Sequence, residues 1–244
     1  EGLDPVANLT PPTARISLDE AGRVELKTKS GGAYAIEYAS GQVEKTEVAE
    51  LQRALPVSGP WRVQLDGVGL HEPTALLFSD LADWAAHGRD DIRHFSGTAI
   101  YRKVIPVGQE WFGDNRRILL DLGRVEIAAE VMVNEYNAGI LWKPPFVADV
   151  TDLLRPGDNN LEIRVTNLWS NRLIGDESLE DTSGYTMKQK MPDWYIHNEP
   201  MPDGPRSTFT TYNFYNKDRA LLPSGLLGPV QMVQEAVVTL EWAE

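Results

Sequence analysis

Short runs of alternating polar and apolar residues, separated by turn formers, constrain this chain more than any other feature. Residues 14–18 (Ala-Arg-Ile-Ser-Leu) and 23–27 (Arg-Val-Glu-Leu-Lys) alternate on either side of Asp19-Glu20-Ala21-Gly22. That arrangement predicts a β-hairpin. Residues 33–38 form a third short strand pattern. Strand patterns then recur at 61–65, 97–105, 117–122, 128–133, 138–142, 146–150 and 161–166. Residues 77–84 read as one helical turn or an irregular loop, and 134–137 as a turn. The closing stretches 229–233 and 236–242 supply the last strands. Closely spaced strands with Gly, Pro and Asn turns predict an all-β sandwich or jelly roll, two packed antiparallel sheets across 56–240. Two Pro and a Gly in Leu55-Pro56-Val57-Ser58-Gly59-Pro60-Trp61 place a boundary there. The expected organisation is a small β element at 1–55, the end of a preceding domain, and a sandwich at 56–244.

Composition removes several function classes. The 244 residues carry 23 Lys+Arg against 36 Asp+Glu, a net charge of −13. That balance disfavours nucleic-acid partners. No apolar run approaches the ~20 residues that span a bilayer, so no membrane partner is expected. There is no Cys, which excludes disulfides, Cys-ligated metals and thiol catalysis. His71, His87, His94 and His197 form no His-x-x-x-His pair, so a zinc site is not expected. No serine-hydrolase elbow, P-loop or dinucleotide fingerprint is present. The chain opens Glu1-Gly2-Leu3 without Met or a signal peptide, as expected of a processed product or a piece of a larger chain. Asn8-Leu9-Thr10 fits the N-glycosylation triplet.

The rhythm breaks at 167–225. Few strands are legible there, yet Trp169, Tyr185, Trp194, Tyr195, Phe209, Tyr212, Phe214 and Tyr215 all fall within it. A connection this long is usually functional or disordered, and disordered segments are poor in aromatics. Residues 167–215 are therefore expected to be ordered, at one end of the sandwich, turning Trp169, Asn171, Arg172 and Trp194 towards a shared surface.

Several stretches resemble known glycoside hydrolases. Phe95-Ser96-Gly97-Thr98-Ala99-Ile100-Tyr101-Arg102-Lys103 resembles the SGxxxYRK strand of the sugar-binding domain in family 2 enzymes. Residues 120–125 and 130–134 are similar to that domain's central hairpin, and 149–165 to its DVTDLLRPGxNxLxVRV stretch. Leu141-Trp142-Lys143-Pro144-Pro145-Phe146, residues 166–176 and residues 221–230 resemble the C-terminal region of family 106 α-L-rhamnosidases. The resemblance covers roughly 56–235. It implies a galactose-binding-domain-like β-sandwich belonging to an enzyme that inverts terminal α-L-rhamnosides with two carboxylates on a separate (β/α) barrel. The alternating β and α pattern of a barrel is absent here, so no catalytic residue is expected in this chain. Such domains often hold a structural Ca²⁺ on carboxylates and carbonyls, and the resemblance assigns it no ligands.

Sugars stack their C–H faces on Trp and Tyr and need Asn, Asp, Glu or Arg for their hydroxyls. The sugar-binding candidates are Trp142, Trp169, Asn171, Arg172, Trp194, Tyr195, Asn198 and Glu199. The same aromatics could instead pin the loop to the sandwich or to a neighbouring domain. Asp176, Glu177, Glu180, Asp181, Asp193, Glu199 and Asp203 are acidic candidates for hydrolysis, or a solvated acidic loop. In related family 2 enzymes a loop of this domain reaches the barrel's active site, and residues 167–176 match it by position. The expected role is a non-catalytic accessory module in bacterial polysaccharide degradation, periplasmic or secreted rather than cytoplasmic. Its expected partners are a rhamnose-containing glycan and the catalytic barrel. A free-standing carbohydrate-binding module or lectin, and a purely structural domain, remain as alternatives.

Overall fold

The computed structural model describes residues 14–68, 70, 73–185, 191–211 and 214–240. Asn8, Leu9, Thr10, His71, Tyr212 and Trp242 lie outside the described residues. Strands β1 (Ala14–Leu18) and β2 (Val24–Thr28) pair antiparallel, closing with Leu18 opposite Val24. Asp19 fixes the turn by accepting from the backbone N–H of Ala21 and Arg23, at 2.9 and 2.8 Å. Strands β3 (Gly32–Glu37) and β4 (Val43–Val48) form a second hairpin. The short β5 (Leu55–Pro56) precedes β6 (Trp61–Val68) and β7 (Thr74–Phe78), which pair antiparallel. Leu77 and Phe78 thus end a strand, and the helical geometry expected near them begins only at the single turn Trp84–Ala86, followed by α1 (Asp90–Arg93).

The long β8 (Ser96–Val107), β9 (Arg116–Asp121) and β10 (Arg124–Glu126) follow. Next come β11 (Ala128–Val133) and β12 (Tyr136–Leu141). Asn134 and Glu135 join them with φ of 50° and 72°, the doubly left-handed turn that matches strand twist. Strands β13 (Val147–Asp149) and β14 (Gly157–Thr166) lead into α2 (Ser170–Asp176) and α3 (Asp193–Ile196). Strands β15 (Gly225–Gly228) and β16 (Gln231–Thr239) end the described chain. The two closing strand patterns of the sequence are one continuous strand, β16.

Two six-stranded sheets result. The first runs β1-β2-β16-β9-β13 with β5 beside β16, and the second runs β12-β11-β14-β8-β6-β7. Their facing sides make the core of an all-β sandwich. Val63, Tyr101, Ile163 and Val131 on the second sheet meet Ile118, Leu120, Ala148 and Met232 on the first. Val57, just after β5, belongs to the same core. A smaller cluster of Leu26, Val48, Ala236 and Leu240 joins both N-terminal hairpins to the end of β16. Tyr101 is buried at the centre, with Trp84 Nε1 donating to its hydroxyl at 2.7 Å and Leu226 N at 3.3 Å. Burial pushes the Tyr101 pKa up to about 12, despite these two hydrogen bonds.

Candidate functional site

The connection from β14 to β15 forms one end of the sandwich, and amide and carboxylate side chains fix it there. Asn167 receives the N–H of Gly97 at 3.0 Å and donates to the carbonyl of Phe95 at 2.8 Å. Asn171 donates to the Leu222 carbonyl at 2.7 Å and receives the Leu222 N–H at 2.8 Å. Asp83 receives the Ser224 N–H at 2.9 Å. Asp176 receives the N–H groups of Ser207 and Thr208, at 3.0 and 2.8 Å. Arg206 donates to the Leu179 carbonyl and to Glu177. A loop with this many polar anchors holds its outward side chains in fixed positions.

The sugar-binding candidates fall into four groups. Trp142, just past β12, and Trp169, at the start of α2, are 69% and 57% exposed. Lys143 Nζ lies 5.3 Å from the Trp142 ring. Asn171 and Arg172 are turned inward, at 2% and 6% exposure. Asn171 spends its amide on the loop, and Arg172 is 2.6 Å from Asp176. Trp194 and Tyr195 join Phe209 in a ring cluster, with Trp194 and Phe209 edge-on at 5.0 Å. Trp194 Nε1 also donates to the Ser183 carbonyl at 2.8 Å. Asn198 and Glu199 are exposed but serve as a helix stop. Asn198 has φ of 57°, its N–H reaches the Tyr195 carbonyl, and the Glu199 N–H reaches that of Trp194 at 2.7 Å. That double bond with a left-handed residue is a Schellman cap.

The sequence reading missed an apolar notch at this end, next in the chain to Trp169. Ile127, Leu168 and Leu222 are exposed at this end. They line a notch of about 110 Å³ with Glu126, Ser170, Asn171, Pro223 and Ser224. Only the tripeptide Asn167-Leu168-Trp169 signalled it, and nothing in the sequence pairs that tripeptide with Leu222. The notch lies well below the ~300–1,000 Å³ of ordinary ligand pockets.

Three of the acidic candidates are engaged, and Glu180, Asp193, Glu199 and Asp203 are exposed. Asp176 is bound as above, Glu177 pairs with Arg206 at 3.0 Å, and Asp181 receives the Ser183 N–H. Partial burial works to raise the Asp181 pKa, but bonds from Ser183 and the charge of Arg206 outweigh it and hold it below the usual value. A general acid needs the opposite displacement. Beside α2, burial first, then the charges of Arg172 and Arg93, depress the pKa of His94. Among the described residues no three His, Asp or Glu side chains group as a metal site.

No protein-family model matches the sequence. The chain is 38% identical over 214 residues to a putative β-glucuronidase of Formosa agariphila, covering 86% of this chain and 18% of the relative. It is 30% identical over 138 residues to the β-glucuronidase of Chlorocebus aethiops, covering 53% of this chain and 20% of the relative. Among solved structures, the rhamnosidase from Novosphingobium sp. PP1Y matches with a TM-score of 0.61 and 25% identity, covering 90% of this chain and 22% of that one. The chain therefore spans about a fifth of the length of these proteins, and its sandwich is a fold that the rhamnosidase contains.

Proposed function

We propose that this chain is a non-catalytic β-sandwich module of a larger glycoside hydrolase acting on a rhamnose-containing glycan. Its anchored end packs on the catalytic barrel, and Trp169 reaches towards the sugar site. The observation that carries this reading is the exposed Trp169 on a loop held rigid by Asn167 and Asn171, next in the chain to a notch that exposes Leu168, Leu222 and Ile127. Such a set is suited to covering by another surface, and the notch beside it is too small to hold a sugar by itself. The likeness to a rhamnosidase supports the substrate class. The 38% identity to a putative β-glucuronidase supports a second class, glucuronides.

The test is an assay of the purified chain with aryl α-L-rhamnoside and aryl β-D-glucuronide, followed by the full-length enzyme carrying Trp169→Ala. No turnover is expected from the chain alone. In the full enzyme the substitution should lower kcat/KM on whichever substrate is used. Turnover by the isolated chain, abolished by one Asp or Glu substitution within 176–203, overturns the non-catalytic role.

A further inference from the structure

One row of side chains crosses all six strands of the second sheet on its solvent face. In register it reads Leu77, Arg62, Arg102, Glu162, Met132 and Asn137. The first five line an open hollow of about 900 Å³, within the range of organic-ligand sites. Crossing from β7 to β11 at ~4.8 Å per strand spacing, the hollow is about 19 Å long. That length suits a chain of several units rather than one small molecule. Its floor is a connected polar network. Arg102 donates from Nε to Glu162 at 2.6 Å and from Nη1 to Gln64 at 3.1 Å. Arg164 donates from Nε to Glu162 at 2.7 Å and from Nη1 to Glu130 at 3.2 Å. Asn137 also donates to Glu130, at 2.7 Å. Side chains bonded to one another in this way are held in place before any ligand arrives.

Three arginines on this face, Arg62, Arg102 and Arg164, stand against three carboxylates, Glu130, Glu135 and Glu162. Lys103 has the opposite parity on β8 and lies over the Trp61 ring at 5.5 Å. The face is therefore balanced, and it favours an uncharged ligand over an ion of either sign. Two planar polar groups in it are free. Arg62 and Asn160 are exposed, and neither side chain makes an ion pair or hydrogen bond among the described residues. Each has an exposed apolar side chain directly opposite on the neighbouring strand. Leu77, 68% exposed, faces Arg62, and Val104, 53% exposed, faces Asn160. The two pairs lie about two strand spacings apart, roughly 10 Å. A guanidinium or carboxamide offers its hydrogen bonds in a fixed fork, which suits neighbouring hydroxyls. An apolar side chain beside it suits the C–H face of the same ring.

We propose that this face binds a neutral oligosaccharide lying across the strands. One sugar unit places its hydroxyls on Arg62 and its C–H face on Leu77. Another, further along the chain, places its hydroxyls on Asn160 and its C–H face on Val104. Arg102, locked by Glu162 and Gln64, is the fixed floor between them. The site lies on β7, β6, β8 and β14, apart from Trp169, and does not depend on the accessory role proposed above.

The test is calorimetric titration of the whole chain with cellohexaose, xylohexaose, mannohexaose and galactohexaose as neutral probes, and with hexagalacturonate as the charged one. Binding of at least one neutral hexasaccharide is expected, and the one that binds names the sugar. Its monosaccharide should bind at least about tenfold more weakly, because it reaches only one of the two pairs. Affinity should not change between about 0.05 and 0.5 M salt, since no charge on the ligand is there to be screened. Arg62→Ala and Asn160→Ala should each weaken binding at least about tenfold, the scale of losing a hydrogen bond to a charged or planar polar group. Both variants should melt with the parent, because neither side chain has a partner to lose, and Trp169→Ala should bind as the parent does. Five results overturn the proposal: no binding of any neutral hexasaccharide; binding that both variants leave intact; hexagalacturonate binding as tightly as the neutral sugars; loss of binding in Trp169→Ala, which moves the sugar to the end of the sandwich; or a melting temperature lowered by several degrees in Arg62→Ala and Asn160→Ala, which makes both residues structural.

Discussion

Arg172 and Asp176, one helical turn apart on α2, face each other at 2.6 Å with both side chains more than nine-tenths buried. The second oxygen of Asp176 receives the N–H groups of Ser207 and Thr208 and the Thr208 hydroxyl, the last at 2.7 Å. The pair therefore carries a charge into the interior and uses it to hold a segment more than thirty residues away. Removing one partner strands the other in a medium that solvates it poorly. Asp176→Ala should cost about 3–5 kcal/mol, the range for breaking a buried pair. Arg172→Met combined with Asp176→Leu should cost less than the single change, because no unpaired charge remains. Urea melts of the three proteins measure both quantities, and equal costs would show that the pairing adds nothing beyond the contacts to Ser207 and Thr208.

Tyr101 predicts a dependence on alkaline pH. Its pKa is about 12 in the fold against the ordinary phenol value of 10.0. The unfolded chain thus loses this proton first as pH rises, and the folded state binds more protons between the two values. Stability contributed by the neutral hydroxyl is fully present below pH 10 and is lost as pH climbs from 10 towards 12. The gap corresponds to about 3 kcal/mol. Tyr101→Phe should remove this slope. At neutral pH it should cost about 1–3 kcal/mol, because Trp84 Nε1 loses its buried acceptor. Chemical denaturation at pH 8, 10 and 11 checks both.

The hairpins were legible because alternation and turn chemistry agree locally, as at β1-β2 with Asp19 between them. Strand β7 was hidden because Leu76, Leu77 and Phe78 break alternation. The continuity of β16 was hidden by Gln234 and Glu235, which read as a polar interruption. Glu235 is tolerated in a strand because Arg15 and Arg117 meet it at 3.2 and 3.1 Å. Gln234 is tolerated because its amide donates to the Trp111 carbonyl at 3.0 Å. Both sets of partners are far along the chain. The same limit applied at the site. Asn171 has the composition of a sugar ligand, but its partner Leu222 is 51 positions away. Trp169 could be picked out by type, whereas Ile127 and Leu222, which line the notch with Leu168, come from other segments.

Gly97 in β8 sits opposite Gly67 in β6 with φ of 153°. A Cβ there would lie 2.7 Å from the Asp66 carbonyl oxygen and 2.8 Å from the Gly67 Cα. Both obstacles are backbone, so the strands must separate or shift. Gly97→Ala should destabilise the fold by about 1–3 kcal/mol, as overpacking does. It should also loosen Asn167, whose side-chain Oδ1 receives the Gly97 N–H. Amide hydrogen exchange at Gly67, Gly97 and Asn167 should speed up together; faster exchange at only one of the three would show that the strand pair and the loop anchor are not coupled.

Trp169 and Trp194 should part company under mutation. Trp169 is mostly exposed, and its ring has no aromatic partner among the described residues. Trp169→Ala should change stability by no more than about 0.5 kcal/mol, as surface changes do. Trp194 is half-buried, packs edge-on against Phe209 at 5.0 Å and spends its Nε1 hydrogen on the Ser183 carbonyl. Its removal takes away a ring contact worth about 0.5–1.5 kcal/mol and a hydrogen bond worth about 0.5–1.5 kcal/mol. Trp194→Ala should therefore destabilise by roughly 1–3 kcal/mol. The loss should concentrate in residues 183–209, because the ring touches that loop rather than the core between the sheets. Limited proteolysis localises it: Trp194→Ala should open new cleavage sites in this loop while the sandwich strands stay protected, and Trp169→Ala should give the parent's digestion pattern. Cleavage spread across both sheets in Trp194→Ala would place that ring in the main core instead, and a Trp169→Ala protein that melts several degrees lower would remove the basis for treating Trp169 as a free contact surface.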